Sequence, residues 1–497
     1  MVTHTLLFGG KAGQGPNILT HLLGKALVKR GYYAFYSRDY PSLIRGGHNF
    51  NVLTFSDEPI SSNESKLDVI IALDENTEKI HSKNLKKESI VLKGHKENMY
   101  YAGTLFKLIG IDFKFLDNEL KELKKRYGEN VKIAKLGYNE EKRNLCNLHQ
   151  RKNKFNFYSG SEGISKGAIK SGLDIYYAYP MTPATPVLRE LAEIQEKGNN
   201  LVLELENEIA VINAAIGSSI TGAKSMVGTS GGGFALMTEA LSMAGMAEIP
   251  LVAYLAQRPG PASGVPTYTS QGDLNMARHA GHGEFVKMVL APGDPIECEE
   301  LTNQAFYFSQ KYKLPAIVIS DKHLAESFYT LKETPKITKS QKLVTLKKFN
   351  SYEHTPEGIS TEDARLIEKN AIKRLKKSLD VEKEAKKFGQ YKLHGKKNSK
   401  NLIVSWGSPK GAIIDAIKNL DCGFLQILYI DPFPKEVLKL FKEKNVLLVE
   451  NNSTAQLAQI IREKTGFLIE DKNKILRFDA RPFLHDELKN EIQKRLK

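Results

Sequence analysis

Apolar runs rich in β-branched residues recur along the chain, and each stops at Gly, Pro, Ser, Thr or an acid. Residues 2–9 (VTHTLLFG) form the first such run, and ILTHLLGKALVKRG after GGKAGQGPN repeats its apolar positions at helical spacing up to Gly31. That order predicts strand, glycine turn and helix. YYAFYSRDYPSLIRGGHNFNVLTFSDEPI reads as strand, loop, strand, and VIIALDENT (69–77) as a buried parallel strand. From 85 to 138, strand-like pieces (SIVLKG, VKIAKLG) alternate with helical ones (GTLFKLIG, LDNELKELKKRYG). Residues 139–157 are polar and read as a linker.

A second series opens at GSEGISKGAIKSG (160–172) and places IYYAY, LVLEL, KSMVGTS, IPLVAYLAQ and LPAIVISD as strands, each followed by a helical pattern or a Gly/Pro-rich loop. Between about 329 and 398 the chain turns Lys-rich and poor in apolar residues, the composition of a connector with a solvated face. LIVSWGS, LQILYID and VLLVENN then read as strands, with GAIIDAIKNL, KEVLKLFKEK and AQLAQIIREKTG as helices. The expected fold class is α/β, with three parallel-sheet α/β domains. Their expected bounds are 1–150, 158–330 and 400–497, with 331–399 as the Lys-rich connector.

Length agrees with several domains, because 497 residues exceed what one core supports. The most apolar long run, Leu241 to Ala256, is broken by Glu248 and Pro250, so no stretch reaches the roughly 18 apolar residues of a spanning helix. MVTHTLLFGG is expected to be a first strand rather than a signal peptide. Cys146, Cys298 and Cys422 lie far apart without a CxxC, which argues against an iron–sulfur cluster, zinc site or disulfide framework held by this chain and suits a reducing cytoplasm. The net charge is +15, but the lysines are dispersed or lie in polar helices, without the aromatic interleaving of a nucleic-acid module. A solvated surface, an acidic protein partner or an anionic ligand fits this charge, and neither nucleic acid nor membrane is expected.

Polar residues at the ends of apolar runs are the candidates for chemistry, since ligands of open parallel sheets bind beyond the carboxyl ends of strands. Gly10-x-x-Gly13-x-Gly15 fits an anion site at a helix N-terminus or a plain tight turn. It matches neither the dinucleotide fingerprint nor a Walker loop. Arg38 and Arg45 with Gly46 and Gly47 suit phosphate, or a polar hairpin loop. Glu208 falls in the first turn of a helical pattern, as a dipole-stabilised carboxylate or as a desolvated acid that protonates a ring nitrogen. Thr182 follows IYYAY and Arg258 follows IPLVAYLAQ, a hydroxyl and a guanidinium suited to a small carboxylate. Thr229 to Gly233 supplies bare backbone N–H groups. His279, His282 and Glu284 are too loosely spaced to argue for a metal.

Taken together, YPMTP, ENEIA, TSGGGFALMTEAL, EIPLV, QRPGP and PTYTSQGDL resemble the alpha subunit of 2-oxoacid:ferredoxin oxidoreductases. GGKAGQG and YPSLIRGGHN resemble the gamma subunit of the same enzymes, so the chain resembles a gamma–alpha fusion, the form often found in 2-oxoglutarate-type members. LIVSWGS and VENNSTAQLAQIIR are similar to the family's transketolase C-terminal-like domain. The resemblance implies a gamma-type domain, a pyrimidine-binding-type domain and that third domain. It also implies a reaction: thiamine diphosphate attacks the keto carbon of a 2-oxoacid, carbon dioxide leaves, electrons pass singly to iron–sulfur clusters and ferredoxin, and coenzyme A takes the acyl group. On matching motifs, Glu208 would contact N1′ of the aminopyrimidine and Pro180 would lie near that ring. Thr182 and Arg258 would bind the substrate carboxylate, and Gly13, Gly15, Arg45, Gly46 and Gly47 would help receive coenzyme A.

The chain lacks a Gly-Asp-Gly followed by a downstream Asn pair, and it lacks cluster cysteines. In the family a separate beta subunit brings the thiamine diphosphate/magnesium motif and the iron–sulfur cluster, so a hetero-oligomer of the (alpha-beta)2 kind is expected. GSEG at 160–163, Gly232 in place of a frequent Pro, and the basic segment 365–399 depart from the family pattern. A pyruvate or branched-chain/broad 2-oxoacid enzyme, and a non-catalytic coenzyme A or nucleotide-binding protein, are the competing readings. A Rossmann dehydrogenase is disfavoured by the glycine spacing.

Overall fold

The computed structural model describes residues 2–41, 47–95, 97–123, 126–341 and 350–496. It is α/β throughout, with three sheets of seven, seven and five strands. Two compact units form. The first holds residues up to 158 with 327–333 and 484–490, and the second holds 159–326, 334–483 and the last residues.

In the first unit the sheet runs Leu85–Leu92, Leu67–Ala72, Thr3–Lys11, His48–Ser56, Tyr33–Asp39, Phe328–Leu331 and Asn156–Ser159. Thr3–Lys11 pairs parallel with Leu67–Ala72 and antiparallel with His48–Ser56, so this sheet is mixed. Its antiparallel half comes from the predicted strand–loop–strand, whose two arms pair from Tyr33↔Ser56 to Asp39↔Phe50. The helix Pro16–Lys29 buries Leu19, Leu22, Leu23, Ala26 and Leu27 in a core shared with Leu6, Phe8, Leu53 and Phe55. VKIAKLG, expected as a strand, is instead helical within Tyr127–Glu140. The cause is backbone contact with the helix Asn98–Leu108: a Cβ at Gly103 would stand 1.8 Å from the Ala134 carbonyl, and one at Gly137 2.1 Å from that of Tyr100. One glycine on each helix lets the two backbones meet, and that packing outweighs the β-propensity of Val131 and Ile133.

In the second unit the first sheet runs Tyr429–Asp431, Met288–Leu290, Pro315–Asp321, Leu251–Gln257, Ser225–Thr229, Ile175–Ala178 and Leu201–Glu204. Every pair is parallel except the edge strand Tyr429–Asp431. Burial on both faces explains why the central strands read as unbroken apolar runs: all seven residues of Leu251–Gln257 and of Pro315–Asp321 are buried. The other sheet runs Tyr391–Gly395, Gly423–Ile427, Asn401–Trp406, Asn445–Glu450 and Lys474–Leu476, parallel except at Tyr391–Gly395. One continuous apolar core joins residues of both sheets, from Phe234 and Leu255 to Trp406 and Ile460. LQILYID reads as one strand but divides at Leu428. Gly423–Ile427 stays in the smaller sheet and Tyr429–Asp431 crosses to the larger. Leu428 makes this switch because its N–H donates to the Gln390 carbonyl and its own carbonyl accepts from Ala291 N–H at 2.7 Å.

Within the Lys-rich stretch the long helix Ala364–Ala385 is capped by Asp363 and buries Val381 and Ala385, while Leu375 and Leu379 stay about two-thirds exposed. Its Lys373 and Lys377 both donate to Glu248. Tyr391–Gly395, from the end of that stretch, is an edge strand of the smaller sheet. Among the described residues no helix is long and apolar enough to cross a membrane.

Candidate active site

Four adjacent parallel strands of the larger sheet in the second unit end at one edge, with Ala178 opposite Glu204 and Gly228, and Leu255 opposite Thr229. Ile175–Ala178 lies between Leu201–Glu204, the next strand in sequence, and Ser225–Thr229, the one after. The chain therefore reverses direction of travel across the sheet at Ile175–Ala178, and the loops there open a crevice. Pro180 and Thr182 leave one strand, Glu208 follows another, Thr229 and Ser230 end a third, and Arg258 follows a fourth.

Glu208 begins the helix Glu208–Ile220, whose N-cap Asn207 accepts from Ala210 N–H at 2.9 Å. Because Asn207 caps the helix, the Glu208 side chain is left free to turn away. It is only 3 % exposed, and its Oε1 is buried without a hydrogen-bond partner. It lies against the first turn of the helix Gly231–Met246, where a Cβ at Gly233 would stand 2.5 Å from Oε1. The missing side chain at Gly233 is thus what gives Glu208 its place. Ser230, the N-cap of that helix, has a buried Oγ with no partner either.

Arg258 is half-buried, and its Nη1 donates to the Thr182 carbonyl at 2.8 Å. The structure thus brings Thr182 and Arg258 together, through the backbone oxygen of Thr182. Burial holds the Arg258 pKa below the usual guanidinium value, against the attraction of Asp273 and then Glu208. Pro180 is exposed at the same edge. Asp273 was not among the sequence candidates, although it sits in the quoted PTYTSQGDL. Its Oδ2 is buried without a hydrogen-bond partner, and a Cβ at Gly231 would stand 2.5 Å from it. Burial pushes its carboxyl up to about 6, with Arg258 pulling the other way. Two acids therefore press on one all-glycine helix turn, neither oxygen satisfied by the protein. An orphaned buried carboxylate costs stability unless a bound group pairs with it, so Glu208 and Asp273 suit a ligand that donates a hydrogen bond to them, and Arg258 suits one with an anionic group.

In the first unit Gly13 and Gly15 both have φ of +89°, and Gly15 precedes the helix Pro16–Lys29. A cavity of about 230 Å³ opens there, lined by Gly13, Gly15, Asn17, Asp39, Tyr40 and Asn49 among others. Gly47 has φ of +107°. Arg45 and Gly46 lie outside the described residues.

Two family models match the chain. Residues 5–97 fit the one described as pyruvate ferredoxin/flavodoxin oxidoreductase, and residues 166–390 the one described as pyruvate flavodoxin/ferredoxin oxidoreductase, thiamine diP-bdg. The 2-oxoacid:ferredoxin oxidoreductase subunit alpha of Sulfolobus sp is 30% identical over 99% of this chain and 96% of its own length.

The chain belongs to the 2-oxoacid:ferredoxin oxidoreductases.

It is an oxidoreductase subunit of the alpha type that also carries the N-terminal domain matched at 5–97. The 2-oxoglutarate synthase subunit KorA of Methanocaldococcus jannaschii is 30% identical over 60% of this chain and 89% of its own length. Among solved structures, the 2-oxoglutarate:ferredoxin oxidoreductase from Magnetococcus marinus, with 2-oxoglutarate, coenzyme A and succinyl-CoA bound, covers 100% of both chains with a TM-score of 0.89 at 23% identity. That likeness is one of fold.

Proposed function

We propose that this chain supplies half of an active site that oxidatively decarboxylates a 2-oxoacid, with 2-oxoglutarate preferred, to acyl-CoA and carbon dioxide while ferredoxin is reduced. The observation that carries the reading is the buried, unpartnered Glu208 Oε1 beside Arg258 at the strand ends. The relatives named 2-oxoglutarate synthase support the substrate preference.

Thiamine diphosphate, when bound, supplies the electron sink that lets a 2-oxoacid lose carbon dioxide. In this reading Glu208 would hydrogen-bond N1′ of the aminopyrimidine, and its buried seat against Gly233 would keep water from that contact. Pro180 would lie against the same ring. Arg258 and Thr182 fix the carboxylate of the 2-oxoacid, so that its keto carbon points into the crevice. Gly13, Gly15, Arg45, Gly46 and Gly47 receive the phosphates of coenzyme A. The glycine turn at a helix N-terminus and its cavity support that role for the first two. A separate beta subunit brings magnesium, the diphosphate contacts and the iron–sulfur cluster, in a cytoplasmic (alpha-beta)2 assembly. Residues 1–150 act as the gamma-type domain, 158–330 as the pyrimidine-binding-type domain and 400–497 as the transketolase C-terminal-like domain.

The test is reconstitution. The purified chain should not reduce viologen with any 2-oxoacid, and adding the beta subunit should confer turnover fastest with 2-oxoglutarate. Turnover by the chain alone would refute the division of labour. Faster turnover of pyruvate or 2-oxoisovalerate would refute the substrate preference.

A further inference from the structure

Asparagine is depleted in strands, because its short amide competes for backbone groups, so a buried one calls for a partner. The strand His48–Ser56 of the first unit buries two, Asn49 and Asn51, at 7 % and 2 % exposed. Two residues apart, they share the face of the strand that meets the helix Pro16–Lys29. Asn51 is fully accounted for. Its Nδ2 donates to Asn17 Oδ1 at 2.9 Å and to Thr20 Oγ1 at 3.1 Å, which ties the strand to the start of that helix. Asn49 stands opposite Gly10, nearer the glycine turn, and its Oδ1 is buried with no hydrogen-bond partner among the described residues. An amide oxygen left dry and unpaired costs stability, so an apolar side chain there would suit the fold better.

Both asparagines line the cavity of about 230 Å³ at the helix N-terminus, and Asp39 adds another acceptor to its wall. The cavity therefore asks two things of an occupant. The left-handed turn at Gly13 and Gly15, and a 14-residue helix with no acid in its first turn, favour an anion. Asn49 and Asp39 favour an O–H or N–H donor beside that anion. Asn17 and Ile18 also line an adjoining cavity of about 340 Å³, to which Leu22, Leu123 and Phe328 give apolar walls, so there is room for a molecule that extends beyond its phosphates.

We infer that Asn49 is a specificity-determining residue of the coenzyme A site, whose Oδ1 accepts a hydrogen bond from a hydroxyl or amide N–H next to the phosphates. Coenzyme A carries such donors on both sides of its diphosphate: a ribose hydroxyl on one, the secondary hydroxyl and first amide N–H of pantetheine on the other. The inference rests on the reading of the glycine turn as the phosphate site. The competing role is structural, with Asn49 serving only to shape the turn beside Asn51.

Asn49→Leu and Asn49→Ala separate these roles in the complex reconstituted with the beta subunit. By titration calorimetry each should raise the Kd for coenzyme A about 10-fold, and the KM for coenzyme A should rise in step while the KM for 2-oxoglutarate stays unchanged. Without ligand, Asn49→Leu should not lower Tm, because it removes an unpaired buried amide. ADP and 4′-phosphopantetheine each keep phosphate and one side of the molecule. Asn49→Ala should weaken one of them and leave the other within about 2-fold, which identifies the donor. Equal losses with both fragments make Asn49 a structural residue of the turn and overturn the inference. An unchanged Kd for coenzyme A overturns it as well, whatever happens to Tm. Should Asn49→Leu not assemble with beta, the Asn49→Ala titrations decide alone. A parent complex that turns over 2-oxoglutarate yet shows no binding of coenzyme A at all would instead refute the reading of the glycine turn, and the inference with it.

Discussion

Glu248 and Glu208 belong to the same unit, and both are shielded from water, yet the chain treats them in opposite ways. Glu248 is met by Lys373 and Lys377 from the Lys-rich helix. Burial alone would raise its carboxyl, but Lys377 and Lys373 overcome that and hold it down at about 2. Glu208 has an oxygen with no partner, and Arg258, at the same strand ends, donates to a backbone carbonyl. The first arrangement is finished inside the chain and leaves only stability to explain. The second is left open, and an open buried acid is what a ligand site needs. The difference also separates the two charged regions as wholes. Around Glu248 a cleft of about 690 Å³ is lined by Lys311, Lys313, Lys369, Lys373, Lys376 and Lys377 among others. Two of those lysines are committed to Glu248, and the exposed Lys369 and Lys376 read as a solvated face.

The comparison can be broken most sharply at Glu208. Glu208→Gln in the reconstituted complex should leave assembly intact and lower kcat about 10²–10⁴-fold, measured by steady-state ferredoxin or viologen reduction. An unchanged rate would make Glu208 an ordinary first-turn carboxylate. Next in size is Gly233→Ala. A methyl there would stand 2.1 Å from Thr229 Oγ1 and 2.5 Å from Glu208 Oε1, so it displaces the acid without removing it. The expected cost is about 10–100-fold in kcat with little change in the KM for coenzyme A.

Glu248→Gln tests the closed arrangement. It should leave kcat unchanged and cost about 1–3 kcal/mol of stability at neutral pH, read from denaturant or thermal unfolding. The sign follows from a folded pKa of about 2 against an ordinary glutamate value of 4.5. Stability is fully present above the ordinary value and is lost as pH falls towards about 2. The variant and parent should therefore converge in strong acid. The smallest effect is expected from Lys369→Glu with Lys376→Glu, both exposed: within about 0.5 kcal/mol in stability, and no change in kcat. A large loss of turnover would mean that the Lys-rich face carries function after all.

The strands around the crevice were legible because the middle of a parallel strand buried on both faces is apolar without alternation, as IPLVAYLA and LPAIVI are. Thr182, Glu208 and Arg258 were legible for the same reason, since each is the polar residue where such a run ends. Asp273 was not. It immediately precedes the short helix Leu274–His279, where an Asp reads as an ordinary cap, and its placement depends on Gln257, which holds its N–H, and on the space left at Gly231, both on other elements. VKIAKLG was misread because Val and Ile favour strands locally, whereas the backbone contact at Gly103 and Gly137 is invisible without the partner helix. The division of LQILYID at Leu428 depends on Gln390 and Ala291, both far away or in another sheet.

The sequence by itself determined the α/β class, the order of strands and helices apart from VKIAKLG and the division of LQILYID, and which side chains stand at strand ends. Those follow from local periodicity, because the pleat and the helical turn repeat every few residues. Only the tertiary structure decided which strands pair, that four strand ends converge on one crevice, and which buried acids are satisfied. Pairing and satisfaction depend on groups tens to hundreds of residues apart, as Glu248 with Lys377 and Gln271 with Asn451 demonstrate. No local pattern encodes such a partner, and its presence or absence is what separates a structural carboxylate from one kept open for a ligand.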